Sequence, residues 1–188
     1  ERKVDTSIWF DAGPGVYGVE VVADSQYGPV VLNNAEVSVG VPVAVAAAAV
    51  GTRAGVRGRM QPVLNQRRVR ALVDYAHTPD AVRRAMAAVS PGPGRTIVVL
   101  GCGGDRDAAK RPIMGDVAAR LADILVITDD NPRSEDPRVI RDAMAEGAMS
   151  VPEAERASIE IIGDRRAAIR RAAELAQPGD ALLVLGKG

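Results

Sequence analysis

The sequence predicts an α/β fold, a mostly parallel sheet covered by helices on both faces, over residues 58–188. A shorter β-rich segment, residues 1–57, precedes it. Three observations carry this reading. From Arg70 onward, short runs of Val, Ile and Leu alternate with stretches of helical spacing about ten residues long. The strand runs are continuously apolar, as expected when both faces of a strand are buried. Glycine-rich or polar clusters follow several of those runs, where an open α/β sheet places its ligands.

The elements follow in order. Before residue 58, the segments 7–10, 16–22 and 29–32 are β-prone and are separated by Gly, Pro, Asp and Asn. Residues 41–50 are Ala-rich and predict a helix stopped by Gly51, with Pro42 in its first turn. Gly55, Gly58 and Pro62 punctuate the boundary. Strands are then predicted at 71–75, 96–100, 124–128, 158–162 and 181–185, and helices at 79–89, 112–121, 137–146 and 165–176. Thr78 is placed to cap the first of these helices with Pro79 as its first residue, and Ser134 or Asp136 to cap the third.

Composition narrows the function. The 188 residues carry 24 basic and 24 acidic side chains, so the basic excess of a nucleic-acid binder is missing. At 47% hydrophobic, the chain can bury a real core. The longest apolar run, 41–50, is about half of the roughly 20 residues that span a bilayer, and no basic-then-apolar leader opens the sequence. No membrane insertion is therefore expected. A single cysteine, Cys102, excludes an internal disulfide framework and fits a reducing cytoplasm. A single histidine, His77, excludes a His-rich metal site. No catalytic residue and no metal ligand is assigned in this chain.

Four clusters fall after predicted strands. Asp74-Tyr75-Ala76-His77 offers a carboxylate suited to ribose hydroxyls and an imidazole, or else a helix cap and a rim histidine. Gly101-Cys-Gly-Gly-Asp-Arg-Asp107 is either a tight strand-to-helix turn or a nest of N–H groups for an anion. It is not the dinucleotide fingerprint, because Arg106 stands at the third glycine, and it is not a Walker loop. Asp129-Asp130-Asn131-Pro132-Arg133 sets carboxylates, an amide and a guanidinium side by side. Such a turn can grip a zwitterionic amino-acid head, or simply cap the next helix. Gly186-Lys187-Gly188 follows the last strand.

Taken together with Gly58-Arg59-Met60 and Lys110-Arg111-Pro112, these motifs in this order resemble the C-terminal domain of the Mur ligases. Within that family they resemble the UDP-N-acetylmuramoyl-tripeptide synthetases of the meso-diaminopimelate-adding type. The resemblance implies a Rossmann-like domain that binds the incoming amino acid, with residues 1–57 a remnant of the family's central ATPase domain. It implies nucleotide contacts from Arg59, Asp74 and His77. It also implies contacts to meso-diaminopimelate from Arg111, Asp130, Asn131, Arg133 and Gly186. ATP and Mg²⁺ would be the cofactors, the metal site lying mainly in the central domain. The partners would be a UDP-N-acetylmuramoyl dipeptide and meso-diaminopimelate, with no nucleic acid.

The implied chemistry is amide formation driven by ATP: the dipeptide carboxylate is phosphorylated and the amino acid's amine attacks it. This domain would hold that amine in place. The sequence lacks the family's Gly-x-x-Gly-Lys-Thr loop and its UDP-sugar domain, and it ends ahead of the His-Glu that usually follows Gly-Lys-Gly. The isolated chain is therefore expected not to complete catalysis. The alternatives are a folylpolyglutamate synthetase-like ligase, against which Asp-Asn-Pro-Arg speaks, and a non-catalytic amino-acid-binding module.

Overall fold

A computed structural model describes the strands of residues 6–8, 18–25 and 28–36 by their backbone, and residues 56–89 and 93–186 in full. The chain divides into two compact units, Glu1–Ala54 and Gly55–Gly188. In the first, β1 (Thr6–Ile8), β2 (Gly18–Ser25) and β3 (Gly28–Glu36) form an antiparallel sheet in chain order. The second and third strands run longer than the sequence suggests. They pair from Ser25–Gly28 to Val21–Leu32 and again at Val19–Ala35 and Gly18–Glu36, and Asn33 and Asn34 fall in the irregularity between the two runs. The helix expected at 41–50 lies outside the described residues.

Among its described residues, the second unit contains six strands and four α-helices. They are β4 (Gln61–Val63), β5 (Arg70–Asp74), α1 (Pro79–Ala87), β6 (Thr96–Leu100), α2 (Lys110–Leu121), β7 (Ile124–Ile127), α3 (Pro137–Met149), β8 (Ser158–Ile161) and α4 (Arg165–Leu175), and the chain closes on β9 (Ala181–Leu185). The strands form one sheet in the order β4-β5-β9-β6-β7-β8, antiparallel only between β4 and β5. This is the expected mostly parallel sheet.

The helices distribute themselves by the direction of travel. The crossovers β5→β6, β6→β7 and β7→β8 all step the same way across the sheet. Their helices α1, α2 and α3 share one apolar layer with Val98, Leu100, Leu125 and Ile127. The crossover β8→β9 steps back, and α4 packs on the opposite face against Ile97, Val99, Val126 and Leu182. Right-handed crossovers require this reversal. Residues 97–100 and 124–127 are buried on both faces, which explains their continuous apolar runs.

Caps fix where the helices begin. Thr78 accepts from the Ala81 N–H with Pro79 in the first turn. Asp136, rather than Ser134, caps α3, because Ser134 is turned to a neighbouring loop. Asp164 caps α4. These caps satisfy N–H groups that the helix itself leaves without partners.

Candidate functional site

Because β5, β9, β6 and β7 are parallel, their carboxyl ends lie at one edge of the sheet. The segments following all four converge there on a cleft of about 380 Å³. It is lined by Tyr75 and His77 after β5, Gly103, Arg106 and Lys110 after β6, Asp130, Asn131 and Arg133 after β7, and Gly186 after β9. Of the residues expected at the site, His77, Asp130, Asn131, Arg133 and Gly186 therefore share one cleft. Lys187 and Gly188 lie outside the described residues.

Arg59 and Asp74 sit beside this cleft and organise its rim. Asp74 ends β5, and its two carboxylate oxygens accept from the Met60 N–H and the Ala76 N–H, each at 2.8 Å. The turn carrying Arg59 is thereby tied to the strand end, with Met60 held at a φ of 43°. The Arg59 guanidinium lies 4.6 Å from the centre of the Tyr75 ring, a cation–π distance. Tyr75 meets His77 edge-on at 4.7 Å between ring centres. The His77 Nδ1 is 3.0 Å from the Tyr75 carbonyl, and the His77 carbonyl accepts from Lys110 Nζ at 2.9 Å. Arg59, Tyr75, His77 and Lys110 thus form one linked rim of cations and aromatic rings.

The opposite wall is made of two loops, residues 101–109 and 128–136, clamped to each other. The Gly104 N–H donates to the Asn131 carbonyl at 2.8 Å, and Arg133 Nη1 donates to the Gly104 carbonyl. The Ser134 hydroxyl and N–H donate to Asp105, at 2.7 and 3.2 Å. Those bonds, together with Arg133 and Arg106 nearby, hold the Asp105 carboxyl below its usual range. Asp105 and Arg133 both have a φ of 51°. Non-glycine residues in the left-handed region are uncommon and concentrate where surrounding structure overrides the strain.

Gly186 closes the floor. Its φ of 102° suits only glycine, and a β-carbon there would lie 3.2 Å from the Gly101 carbonyl and 3.6 Å from an Asp130 oxygen. Asp130 is thereby set against the end of β9. Arg165 Nη2 donates to the Leu185 carbonyl at 3.0 Å, while Nη1 is buried without a partner among the described residues. Burial pulls the Arg165 guanidinium below the ordinary arginine range, and the Asp130 charge opposes that pull. Asp129, the other carboxylate of the motif, is directed away from this arrangement into an ion pair with Arg141.

Arg111 occupies a different place from the one expected for it. It is 3% exposed and is not among the side chains lining the cleft. Its Nη2 pairs with Glu135 Oε1 at 2.7 Å. Hydrogen bonding to Glu135 is what raises the arginine's pKa and lowers the glutamate's. Cys102 is 3% exposed with its sulfur 3.4 Å from that of Met114, and burial pushes its thiol up to about 11. It is a packing residue and not a thiolate at neutral pH.

Sequence reasoning passed over Tyr75, Arg106, Lys110, Glu135 and Arg165. Tyr75, Arg106 and Lys110 lie inside the quoted motifs, so the signal was present. Glu135 and Arg165 carried none, since their roles depend on which loop packs against which. Among the described residues, no group of three or more His, Cys, Asp or Glu side chains is arranged to hold a metal ion. No helix among them is long and apolar enough to cross a membrane.

Comparison with known proteins bears on this geometry directly. Residues 58–188 match the family model described as Mur ligase, glutamate ligase domain. The UDP-N-acetylmuramoyl-L-alanyl-D-glutamate–2,6-diaminopimelate ligase of Chelativorans sp. is 49% identical over 154 residues, covering 81% of this chain and 30% of that protein. The protein of the same name from Brucella melitensis is 48% identical over 151 residues, 79% of this chain and 29% of its own. The chain thus spans about 30% of the length of the curated relatives it matches.

A solved structure of a ligase of that name superposes with a TM-score of 0.62 at 33% identity, covering 92% of this chain and 37% of its own. The folylpolyglutamate synthase of Mycobacterium tuberculosis superposes at 0.57 with 16% identity, over 93% and 43%. The second likeness shows the fold alone. The family match covers the whole clefted unit, from the Arg59 turn through both clamped loops to Gly186, and the chain therefore belongs to the Mur ligase family.

Proposed function

We propose that this domain binds meso-diaminopimelate and holds its amine for amide formation in an ATP-dependent ligase acting on UDP-N-acetylmuramoyl-L-Ala-D-Glu. One observation carries the reading: Asp130, Asn131 and Arg133 line a single cleft together with Lys110, Arg106 and Gly186. Carboxylate and amide oxygens can receive an ammonium group, while the guanidinium and ammonium groups receive carboxylates. An amino acid with two ammonium and two carboxylate groups uses all of them. The names of the relatives at 48–49% identity, diaminopimelate ligases, support the same substrate.

Arg133 is the candidate for the carboxylate that distinguishes diaminopimelate from lysine. Its bond to Gly104 engages Nη1 and leaves the Nε–Nη2 edge of the fork for a planar, two-bond contact. Lysine would bring an ammonium group to that guanidinium. The rim of Arg59, Asp74 and His77 fits a nucleotide. Asp74 keeps acceptor capacity beyond its two backbone bonds, and the cations beside it suit phosphate. When bound, ATP supplies the activation of the acceptor's carboxylate. The metal would be held by residues outside this unit. The residues of this chain bind, orient and shield the nucleophile, which is where a positioning domain gains rate. Residues 1–57 would be the remnant of the central ATPase domain, and the reaction would take place in the cytoplasm.

The test is calorimetric titration of the chain with meso-diaminopimelate and with lysine, repeated for Arg133→Ala and Arg133→Lys. Removing one partner of a desolvated charged pair costs about 2–5 kcal/mol. Arg133 is exposed, so the low end applies, about thirty-fold in affinity. Arg133→Lys should recover part of that loss. Equal affinity of the wild type for both amino acids, or unchanged preference in Arg133→Ala, overturns the substrate assignment.

A further inference from the structure

Glu135 stands one residue beyond the Asp129–Ser134 turn and receives two donors from the other loop. Its Oε1 accepts both from Arg111 Nη2 and from the Asp105 N–H. Asp105 in turn accepts the Ser134 hydroxyl and N–H, so the two loops are cross-linked in both directions by adjacent residues. Arg111 is the second residue of α2 and is 3% exposed. A guanidinium is rarely buried to that degree unless it is paired, and here the partner is the Glu135 carboxylate. The Arg111 Nε remains buried with no acceptor among the described residues.

We propose that Glu135 is a positioning residue for amino-acid binding: it clamps Arg111 and the residue 101–107 loop to the Asp130–Arg133 turn, so that Arg106 and Arg133 are presented preformed to the substrate's carboxylates. This rests on the diaminopimelate reading above. Glu135 does not line the cleft. Its effect runs through Arg111, which its carboxylate holds in place, and through the loop that carries Gly103 and Arg106. Preorganisation of this kind spares the ligand the cost of ordering two loops and two long side chains.

A double-mutant cycle on the chain tests it. Glu135→Gln keeps the size of the side chain and removes its charge. It should weaken meso-diaminopimelate binding by about ten-fold or more, with thermal unfolding still cooperative. In an Arg111→Ala background the same substitution should have little further effect, because the residue through which it acts is gone. Glu135→Asp, one methylene shorter, should recover only part of the affinity. Wild-type affinity in Glu135→Gln, or losses that simply add in the double mutant, overturns the proposal.

Side-chain ¹⁵N spectra of Arg111 separate this failure from failure of the substrate reading. Restrained guanidinium signals in the wild type that are lost in Glu135→Gln support the clamp even where no diaminopimelate binds, which would overturn only the substrate assignment. Identical Arg111 signals in both proteins overturn the clamp. Should Glu135→Gln not fold, Glu135→Asp is read in the same two measurements with the same expected directions.

Discussion

Replacing Gly104 with alanine should disable the cleft from its wall inward. A β-carbon at that position would lie 1.9 Å from the Pro132 carbonyl oxygen and 2.7 Å from its carbon, both backbone atoms. Ordinary carbon–oxygen contact needs roughly 3.2 Å or more, so the loops must part by on the order of 1 Å. That separation strains the Gly104 N–H bond to Asn131 and the bond from Arg133 to the Gly104 carbonyl.

The stability loss is that of overpacking, about 1–3 kcal/mol, plus about 1 kcal/mol for a weakened hydrogen bond. The functional loss is larger, because a misplacement of about 1 Å in a positioning site costs on the order of a hundred-fold. Gly103→Ala is the internal control. Its β-carbon would meet Arg133 Nη1 at 2.9 Å, the far end of a flexible side chain. It should therefore cost little stability, under about 1 kcal/mol, while still displacing Arg133 and weakening binding. Urea unfolding gives the stabilities and calorimetry with meso-diaminopimelate gives the affinities. Equal stability losses for the two variants, or wild-type stability in Gly104→Ala, would refute the close approach of the two loops.

Three further outcomes are expected. Burial by itself would raise the Asp180 carboxyl, but the Arg95 side chain and the Arg95 and Gln177 N–H groups more than offset it, so its pKa lies below the ordinary value. A depressed folded pKa contributes stability above the unfolded value of about 3.9, and that stability is lost as pH falls through the folded value. Asp180→Asn should accordingly destabilise the chain at pH 7 and flatten its loss of stability below about pH 4 in acid titrations followed by circular dichroism. Asp74→Asn can accept only one of the two N–H bonds that Asp74 now takes from Met60 and Ala76, so about 1–3 kcal/mol should be lost. Hydrogen exchange at one of those two amides should accelerate, and unchanged protection at both would contradict the geometry. Thr78→Ala removes the cap on Ala81 and should lower stability by about 1 kcal/mol, with Thr78→Ser close to wild type in the same urea series.

The sequence alone determined the elements of the second unit other than β4, and which loops carry chemistry. Residues 97–100 and 181–185 are continuously apolar, bounded by polar or glycine residues, and both strands end where expected. Local chemistry was sufficient because burial on both faces leaves no alternative to Val, Ile and Leu. The cap before Pro79 was legible for a similar reason, since a hydroxyl three residues ahead of an N–H is a local relation. The helix ends were less so: α2 starts two residues earlier and α3 runs three residues later than their patterns suggest. Tertiary packing of these two helices against each other extends both beyond their own periodicity.

Three matters were decided by the tertiary structure. The three-residue strand β4 exists because β5 offers it an edge, and nothing in Gln61-Pro62-Val63 requires it. The insertion of β9 between β5 and β6 brings Gly186 against Asp130, a proximity of residues 56 positions apart that no local pattern encodes. Arg111 stands in a motif with cleft-lining Lys110, yet successive helical residues point about 100° apart. Lys110 therefore reaches the rim while Arg111 is buried on Glu135. Composition and spacing name the groups available to a ligand; the pairing of one loop with another decides which of them meet it and which hold the others in place.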